Sequence, residues 1–282
     1  MRIRPMEPED IVPSREIGMA TLPTPPSIDS SVRARFSVAR FGRALEAYRE
    51  GAWVAEDDDG RLIGCALALL HDGLWGLSYL AVDPASQERG AGRALLNATL
   101  GYGEGSRAGL IMSSTDPRAM RLYATSGFQT RPCLAAAGIV ERSAIPGGLR
   151  STDAGAEALE LGTALGREIR GGAYHPEDLR TFHENGFGLL RCGDDGIAFH
   201  VGGGLPALLL ARDDATAIDL LWSCFAASPR GGTVSVDFMT AGQDWAIRTC
   251  LEAGLALSPD APMFVRGAVG PLRPWLPSGA YL

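Results

Sequence analysis

Residues 74–95 read LWGLSYLAVDPASQERGAGRAL, and this stretch decides the fold. It begins with the apolar run Leu74–Val82, which is typical of a buried strand. Asp83 and the following proline end that run, and a loop with two glycines, Gly90 and Gly92, leads into an apolar periodicity typical of a helix. The pattern therefore predicts a strand, a loop and a helix, with the backbone N–H groups of the loop and of the helix N-terminus facing one concavity.

Two further apolar runs, Ala52–Glu56 and Leu62–Leu70, precede this strand. The three runs are joined by two Asp-Gly pairs, which begin at Asp59 and Asp72. Asp-Gly between apolar runs favours a two-residue hairpin turn in which both central residues have positive φ. The sequence therefore predicts an antiparallel meander of three strands.

Helices are predicted on both sides of this meander. Asp29 or Ser30 can cap a helix on its N-terminal side, after the proline-rich Thr21–Pro26, which we interpret as an ordered surface loop. On the C-terminal side, a helix that begins at Pro117 should end at Gly127, because glycine readily adopts a left-handed C-terminal cap.

The same order of elements occurs a second time between residues 187 and 254. Its turn at Asp195-Gly196 corresponds to the turn at Asp59, and the helix-ending Gly254 corresponds to Gly127. We interpret this as a diverged internal duplication, with residues 1–144 and 145–282 as two domains joined around Ile145–Arg150. Two unrelated α/β domains that share common turn chemistry are the alternative.

Composition limits the classes of function. At 282 residues the chain exceeds the usual single domain, its net charge is −7, and all its basic residues are arginine, which is typical of bacteria with GC-rich genomes. The acidic balance is against a nucleic-acid partner, and no apolar run approaches the length of a membrane span. Scattered cysteines without a CxxC pair fit free thiols in a reducing compartment, and no histidine spacing predicts a metal site. We expect a bacterial cytoplasmic protein, monomeric or homodimeric, without membrane, nucleic-acid or metal partners.

The segment Gln87–Arg93 has the chemistry of an anion site. N–H groups at a helix N-terminus bind phosphate, and Gly90 and Gly92 let a pyrophosphate approach the backbone, with Arg89 adding positive charge alongside Arg93. A Walker loop is excluded, because Arg93 follows the second glycine where lysine is required. A dinucleotide fingerprint is excluded too, because Leu95 replaces its third glycine.

The same residues resemble a known family. Gln87, Gly90 and Gly92 match the pattern Q/R-x-x-G-x-G/A of the GNAT (Gcn5-related) N-acetyltransferases, and Leu77–Pro84 and Ala119–Phe128 resemble the flanking segments in order and spacing. The resemblance implies an α/β (α+β) fold with two GNAT-like domains, each a mixed, mostly antiparallel sheet flanked by helices. It also implies acetyl-CoA as cosubstrate and direct attack, in a ternary complex, by the amine of a small-molecule or peptide acceptor.

The resemblance also assigns site residues by position. Tyr123 would give its hydroxyl proton to the departing thiolate. The bulged end of the fourth strand would pair its backbone with the pantetheine arm and donate an N–H to the thioester carbonyl. Asp116 stands where many relatives have Asn. The cofactor-binding residues implied are Leu80, Ala81, Val82, Gln87, Glu88, Arg89, Gly90, Ala91, Gly92, Arg93, Asp116 and Ala119.

Two departures from the family pattern affect the functional interpretation. The strand Leu74–Val82 carries no carboxylate to take the amine's proton, so Glu56, Ser78 through a water chain, and solvent all remain candidates. The second copy has no glycine loop, and Cys250 replaces its tyrosine, so we interpret it as a degenerate, substrate-shaping domain. An acyl-CoA sensor without turnover is the first alternative to an enzyme, and a scaffold is the second.

Overall fold

The computed structural model describes residues 1–21, 29–87 and 89–282. Except for Thr21, the predicted loop Thr21–Pro26 lies outside the described residues. The strands are β1 Arg2–Pro5, β2 Ala52–Glu56, β3 Leu62–His71, β4 Leu74–Val82, β5 Ala108–Met112, β6 Gln129–Ile139, β7 Thr152–Asp153, β8 Gly188–Cys192, β9 Gly196–Val201, β10 Leu205–Ala211, β11 Thr233–Thr240, β12 Ala256–Gly267 and β13 Trp275–Leu276. The helices are α1 Ile11–Thr21, α2 Ser30–Ala47, α3 Ala91–Tyr102, α4 Pro117–Thr125, α5 Leu159–Arg170, α6 Pro176–Glu184, α7 Asp214–Ala227 and α8 Asp244–Glu252.

The predicted meander β2–β3–β4 is confirmed, but its two turns differ. Asp72 and the following glycine both have positive φ, at 52° and 73°, as the Asp-Gly signal predicts. At the other turn only Gly60 has positive φ, so the prediction for Asp59 is wrong. The reason is the carboxylate of Asp57, which accepts the N–H groups of Asp59 (3.1 Å) and Arg61 (2.9 Å) and holds a longer turn.

The sheets join the two halves of the chain through an exchange of strands. The larger sheet has the order β1-β2-β3-β4-β5-β12-β6-β11, and the smaller has β13-β10-β9-β8-β7. Strand β12, from the second half, lies between β5 and β6 of the first half, while β6 lies between β12 and β11 of the second. The pairing is antiparallel except between β4 and β5. The predicted boundary after residue 144 falls between β6 and β7, and it remains a prediction.

The helix ends support the duplication. Gly127 and Gly254 follow α4 and α8 in the left-handed region, with φ of 86° and 80°. In the first copy Phe128 donates its N–H to the carbonyl of Tyr123, and in the second Leu255 donates to the carbonyl of Cys250. The two carbonyls therefore occupy equivalent positions, as the sequence predicts. Asp29 caps α2 by accepting the N–H of Ser31, which confirms one of the two predicted caps.

One hydrophobic core crosses the junction between the halves. It packs Leu69 and Leu74 of the first half together with Phe182 and Phe199 of the second. A polar contact adds to it, since the hydroxyl of Tyr48 donates to the carboxylate of Asp178 at 2.6 Å. In the part of the chain that the structure describes, no helix is both long and apolar enough to cross a membrane.

Candidate functional site

The site lies where β4 and β5 separate. The two parallel strands pair from Leu74 to Leu77, opposite Ala108 to Ile111, and no pairing between them follows among the described residues. A register shift opposite Leu67 and Ala68 places a bulge in β4 at Ser78. The carbonyl of Ser78 accepts a hydrogen bond from Arg40, and the backbone from Tyr79 to Val82 has its β5-facing side free to hydrogen-bond an extended ligand.

The N-terminus of α3 forms one wall of the opening. Gly90 precedes the helix with φ of 88°, and no side chain caps it. Because the N–H of Ala94 is the first to bond back, to the carbonyl of Gly90 at 3.0 Å, the three N–H groups before it have no acceptor within the helix. A Cβ at Gly90 would meet nothing within 4 Å. This end of α3 can therefore receive an anion directly on its backbone.

The arginines and the glutamine of this loop differ in position. Arg93 lines the cavity, whereas Arg89 is exposed and lies outside its walls. The side-chain amide of Gln87 donates to the carbonyl of Val82 at 3.1 Å, so it secures the turn after β4. Glu88 lies outside the described residues.

Tyr123 lies on α4 and is only 5 % exposed. Its ring packs edge-on against Phe264, with centroids 5.5 Å apart, and its hydroxyl has no hydrogen-bond partner within the described chain. Burial, and secondarily the charge of Asp116, raise the pKa of this hydroxyl. The group therefore keeps its proton at neutral pH and is available as a donor to a ligand in the cavity.

Asp116 acts chiefly within its own helix. Its carboxylate caps α4 by accepting the N–H of Arg118 (2.8 Å) and also forms an ion pair with that side chain (2.8 Å). This contact lowers the pKa of Asp116 and keeps it ionised. Its predicted contact with a cofactor remains a prediction.

These groups border one cavity of about 1180 Å³. Apart from Arg89 and the undescribed Glu88, its walls include every predicted site residue. They also include residues that the sequence interpretation missed, which come from β11, β12 and the segment after β13 and include Asp237, Phe238, Asp260, Ala261, Gly279 and Ala280. Those on β11 and β12 reach the site through the strand exchange, for which no local sequence signal exists, and the others through the C-terminal segment.

The structure disfavours two candidates for the base. Glu56 pairs with Arg4 at 2.7 Å and lies outside the cavity walls. The hydroxyl of Ser78 donates its proton to the carbonyl of Ala280 (2.6 Å) and accepts from Arg40 (3.0 Å). Because its proton is already engaged, Ser78 is poorly placed to relay another.

The second copy differs at each corresponding position. Asp213 caps α7 with its own carboxylate, which accepts the N–H of Thr216 at 2.8 Å. Beside β10, the short strand β13 fills the cleft, with Trp275 opposite Leu210. The side chain of Cys250 is fully buried. These features differ from those of the cavity in the first copy, and the loss of a cofactor site from the second copy remains a prediction.

Comparison with known proteins agrees with this fold. Residues 49–130 match the family model described as an acetyltransferase (GNAT) domain. A mycothiol acetyltransferase of Clavibacter michiganensis is 36 % identical over 137 residues, and the match covers 45 % of this chain and 43 % of that relative. The chain therefore matches less than half the length of this curated relative.

Solved structures extend the likeness to the whole chain. A putative acetyltransferase from Pyrococcus horikoshii superposes with a TM-score of 0.77 at 16 % identity, covering 99 % of this chain and 92 % of that one. A tandem GNAT protein from the clavulanic acid biosynthesis pathway gives 0.57 at 15 % identity, covering 94 % and 98 %. The fold is thus that of the GNAT class. Residues 49–130 match a GNAT domain in sequence, and the whole chain shares the fold of the solved tandem GNAT protein. The degeneracy of the second copy remains a prediction.

Proposed function

We propose that this chain transfers an acetyl group from acetyl-CoA to an amine. The observation that carries the proposal is the shared opening of three features into one cavity: the uncapped N-terminus of α3, the free edge of β4 and the hydroxyl of Tyr123. They match the three chemical parts of acetyl-CoA that need recognition, namely a diphosphate, a pantetheine arm with amide groups, and a thioester sulfur.

Each wall has a defined task in this proposal. The N–H groups of Ala91, Gly92 and Arg93 would hold the diphosphate, and the open space at Gly90 leaves room for it. The free backbone of Tyr79–Val82 would hold the pantetheine arm and orient the thioester carbonyl. Tyr123 would give its proton to the sulfur, and its raised pKa keeps that proton in place until the thiolate forms.

Free-thiol release from acetyl-CoA, measured against a panel of primary amines, tests the proposal. Release that depends on an amine is the expected result. Saturable binding of acetyl-CoA in calorimetry without release on any amine would support the sensor alternative instead. If acetyl-CoA did not bind at all, the proposed site would be wrong and the scaffold alternative would stand. Mycothiol acetylation is the activity named for the relative matched above, so its acceptor amine belongs in the panel.

A further inference from the structure

The cavity carries two carboxylates that come from the C-terminal half. Asp237 on β11 and Asp260 on β12 both lie in its walls. The pairing of β11 with β6 shifts register between Val236 and Met239, and that of β12 shifts just after Asp260. Such bulges redirect side chains and occur often beside functional sites. Local irregularities in two strands of the second half therefore position both carboxylates.

The bulge in β11 is held in a strained conformation. Phe238 has φ of 56°, in the left-handed region that bulky residues avoid. Its N–H donates to one oxygen of Asp260 (2.7 Å), while the N–H of Ala261 donates to the other (2.6 Å). Asp260 thus fixes the backbone that carries Asp237. Strain of this kind persists only where the surroundings enforce it, and it is concentrated at functional sites.

The carboxylate of Asp237 is free. Within the described chain it forms no hydrogen bond and no ion pair, and its side chain is exposed toward the cavity. Restricted hydration in the cavity, and then the charge of Asp260, raise the pKa of Asp237 to about 6. A carboxylate with this pKa is ionised at neutral pH and is a better base than an ordinary aspartate.

A second observation points to a ligand at the same place. The hydroxyl of Tyr123 belongs to a side chain that is 5 % exposed, it has no partner within the described chain, and it lines the same cavity. This oxygen is accessible from the cavity, so a molecule bound there can pair with it. The cavity therefore offers a proton donor from the first half and a free carboxylate from the second.

We infer that Asp237, positioned by Asp260, binds the protonated amine of the acceptor and takes the proton that this amine loses before it attacks. The inference rests on the function proposed above. It defines the acceptor as a primary amine that is cationic at neutral pH, because two carboxylates favour an ammonium group over a neutral one.

The proton and bond changes balance. Asp237 takes one proton from the ammonium group, and the freed lone pair forms the bond from nitrogen to the acetyl carbonyl carbon while the C–S bond breaks. The sulfur takes the hydroxyl proton of Tyr123, and the proton still in excess on the new amide nitrogen returns to that oxygen. Asp237 then releases its proton to the cavity water.

Other charged groups around the cavity set the pH dependence. Among those described, Asp260 is the charge that perturbs Asp237. The further titratable or charged groups in the walls or in strand contact with Asp260 are Arg40 on α2, Tyr79 on β4, Arg93 on α3, Asp116, Arg118, Arg121 and Tyr123 on α4, and Cys133 on β6. Turnover should fall as the pH is lowered through about 6, because protonation removes the base.

The test compares Asp237→Asn with Asp244→Asn, a control at an exposed position in the first turn of α8, outside the cavity walls. Since Asp237 makes no hydrogen bond in the described chain, Asn should leave the fold intact, which a thermal melt checks. We expect Asp237→Asn to lower kcat/KM for the amine about 100-fold or more and to remove the acidic limb near pH 6, with acetyl-CoA affinity unchanged. If Asp237→Asn kept both the wild-type kcat/KM and the fall in activity near pH 6, the inference would be overturned.

A binding measurement separates this inference from the proposed function. Cadaverine, with its hydroxyl analogue pentane-1,5-diol as control, is titrated into the CoA-loaded protein. The ammonium site is supported if the wild type binds cadaverine but not the diol, and if Asp237→Asn loses this binding. That result would support the inference even if the wild type released no thiol on any amine and the proposed function failed. Absence of cadaverine binding, or equal binding by both proteins, would refute it.

Discussion

The two copies of the duplicated unit treat the same helix N-terminus in opposite ways. Helix α3 follows Gly90 and leaves its first N–H groups free, whereas α7 follows Asp213, whose carboxylate binds the N–H of Thr216. A carboxylate at that position satisfies the donor and places negative charge where a diphosphate would lie. The second copy therefore carries its own anion, and the first remains open to an external one.

The clefts beside the central strands show the same contrast. Beyond Leu77, β4 pairs with no strand of the described chain on its β5 side, but the matching side of β10 is occupied by β13. Trp275 in that strand is 1 % exposed, so the filled cleft forms part of the hydrophobic core. One fold thus becomes a binding domain or a structural one according to whether its cleft and helix end are left free.

The largest expected effect is on the chemical step. Tyr123→Phe should lower kcat by about 100-fold or more, because the departing sulfur loses its proton donor. Affinity for acetyl-CoA, measured by calorimetry, should stay within about twofold, since the ring still fills its place. Tyr102→Phe, outside the cavity walls, is the control. An undiminished rate would make Tyr123 a packing residue like Cys250.

The next effect concerns the filled cleft. Trp275→Ala should lower the free energy of unfolding by about 3–5 kcal/mol, because it removes a buried indole from the core. Urea denaturation measures this, with the 37 % exposed Leu257→Ala as a control expected to change little. A decrease in the free energy of unfolding below about 1 kcal/mol would mean that β13 contributes little to the stability of the core.

A smaller effect should follow from giving α3 the cap that α7 has. Gly90→Asp should weaken acetyl-CoA binding about tenfold or more through repulsion of the diphosphate. Gly60→Asp matches it, because Gly60 also has positive φ and open space around its Cα but lies in a turn outside the cavity walls. Equal affinities for the two variants would remove the phosphate assignment.

The smallest effect is expected at the N-terminus of α7. Asp213→Ala should cost about 1 kcal/mol of stability through loss of the cap. It should not create a second site for acetyl-CoA, because β13 still fills the neighbouring cleft. Calorimetry should therefore give one molecule bound per chain, before and after the substitution. A stoichiometry of two in either protein would contradict the comparison.

Local signals in the sequence were enough to predict the elements that hold the proposed cofactor. Asp72-Gly73, the loop before α3 and the glycine after α4 each depend on a few neighbouring residues, and the structure has them as predicted. The turn at Asp59 failed because a third residue, Asp57, competes for its N–H groups. That competition is also local, but the Asp-Gly rule does not include it.

The residues proposed to bind the acceptor amine could not be predicted in the same way. Asp237 lies on β11, and its position in the cavity depends on β11 pairing with β6 and on a register shift in that pairing. Strand partners more than 90 residues apart leave no periodicity in either segment. The strained φ of Phe238 is equally invisible, because long-range contact with Asp260 enforces it.

The exchange of β6 and β12 has a consequence for how such a gene can change. Removing the second copy would leave β5 paired with β4 alone, take both strand partners from β6 and so expose a long unpaired edge that invites aggregation, and remove the acidic wall of the cavity. Mutation is free to erode the ligand-holding features of that copy, but it cannot delete the strands. The second copy is therefore retained in the gene for the strands that it contributes to the shared sheet, whether or not it binds a ligand of its own.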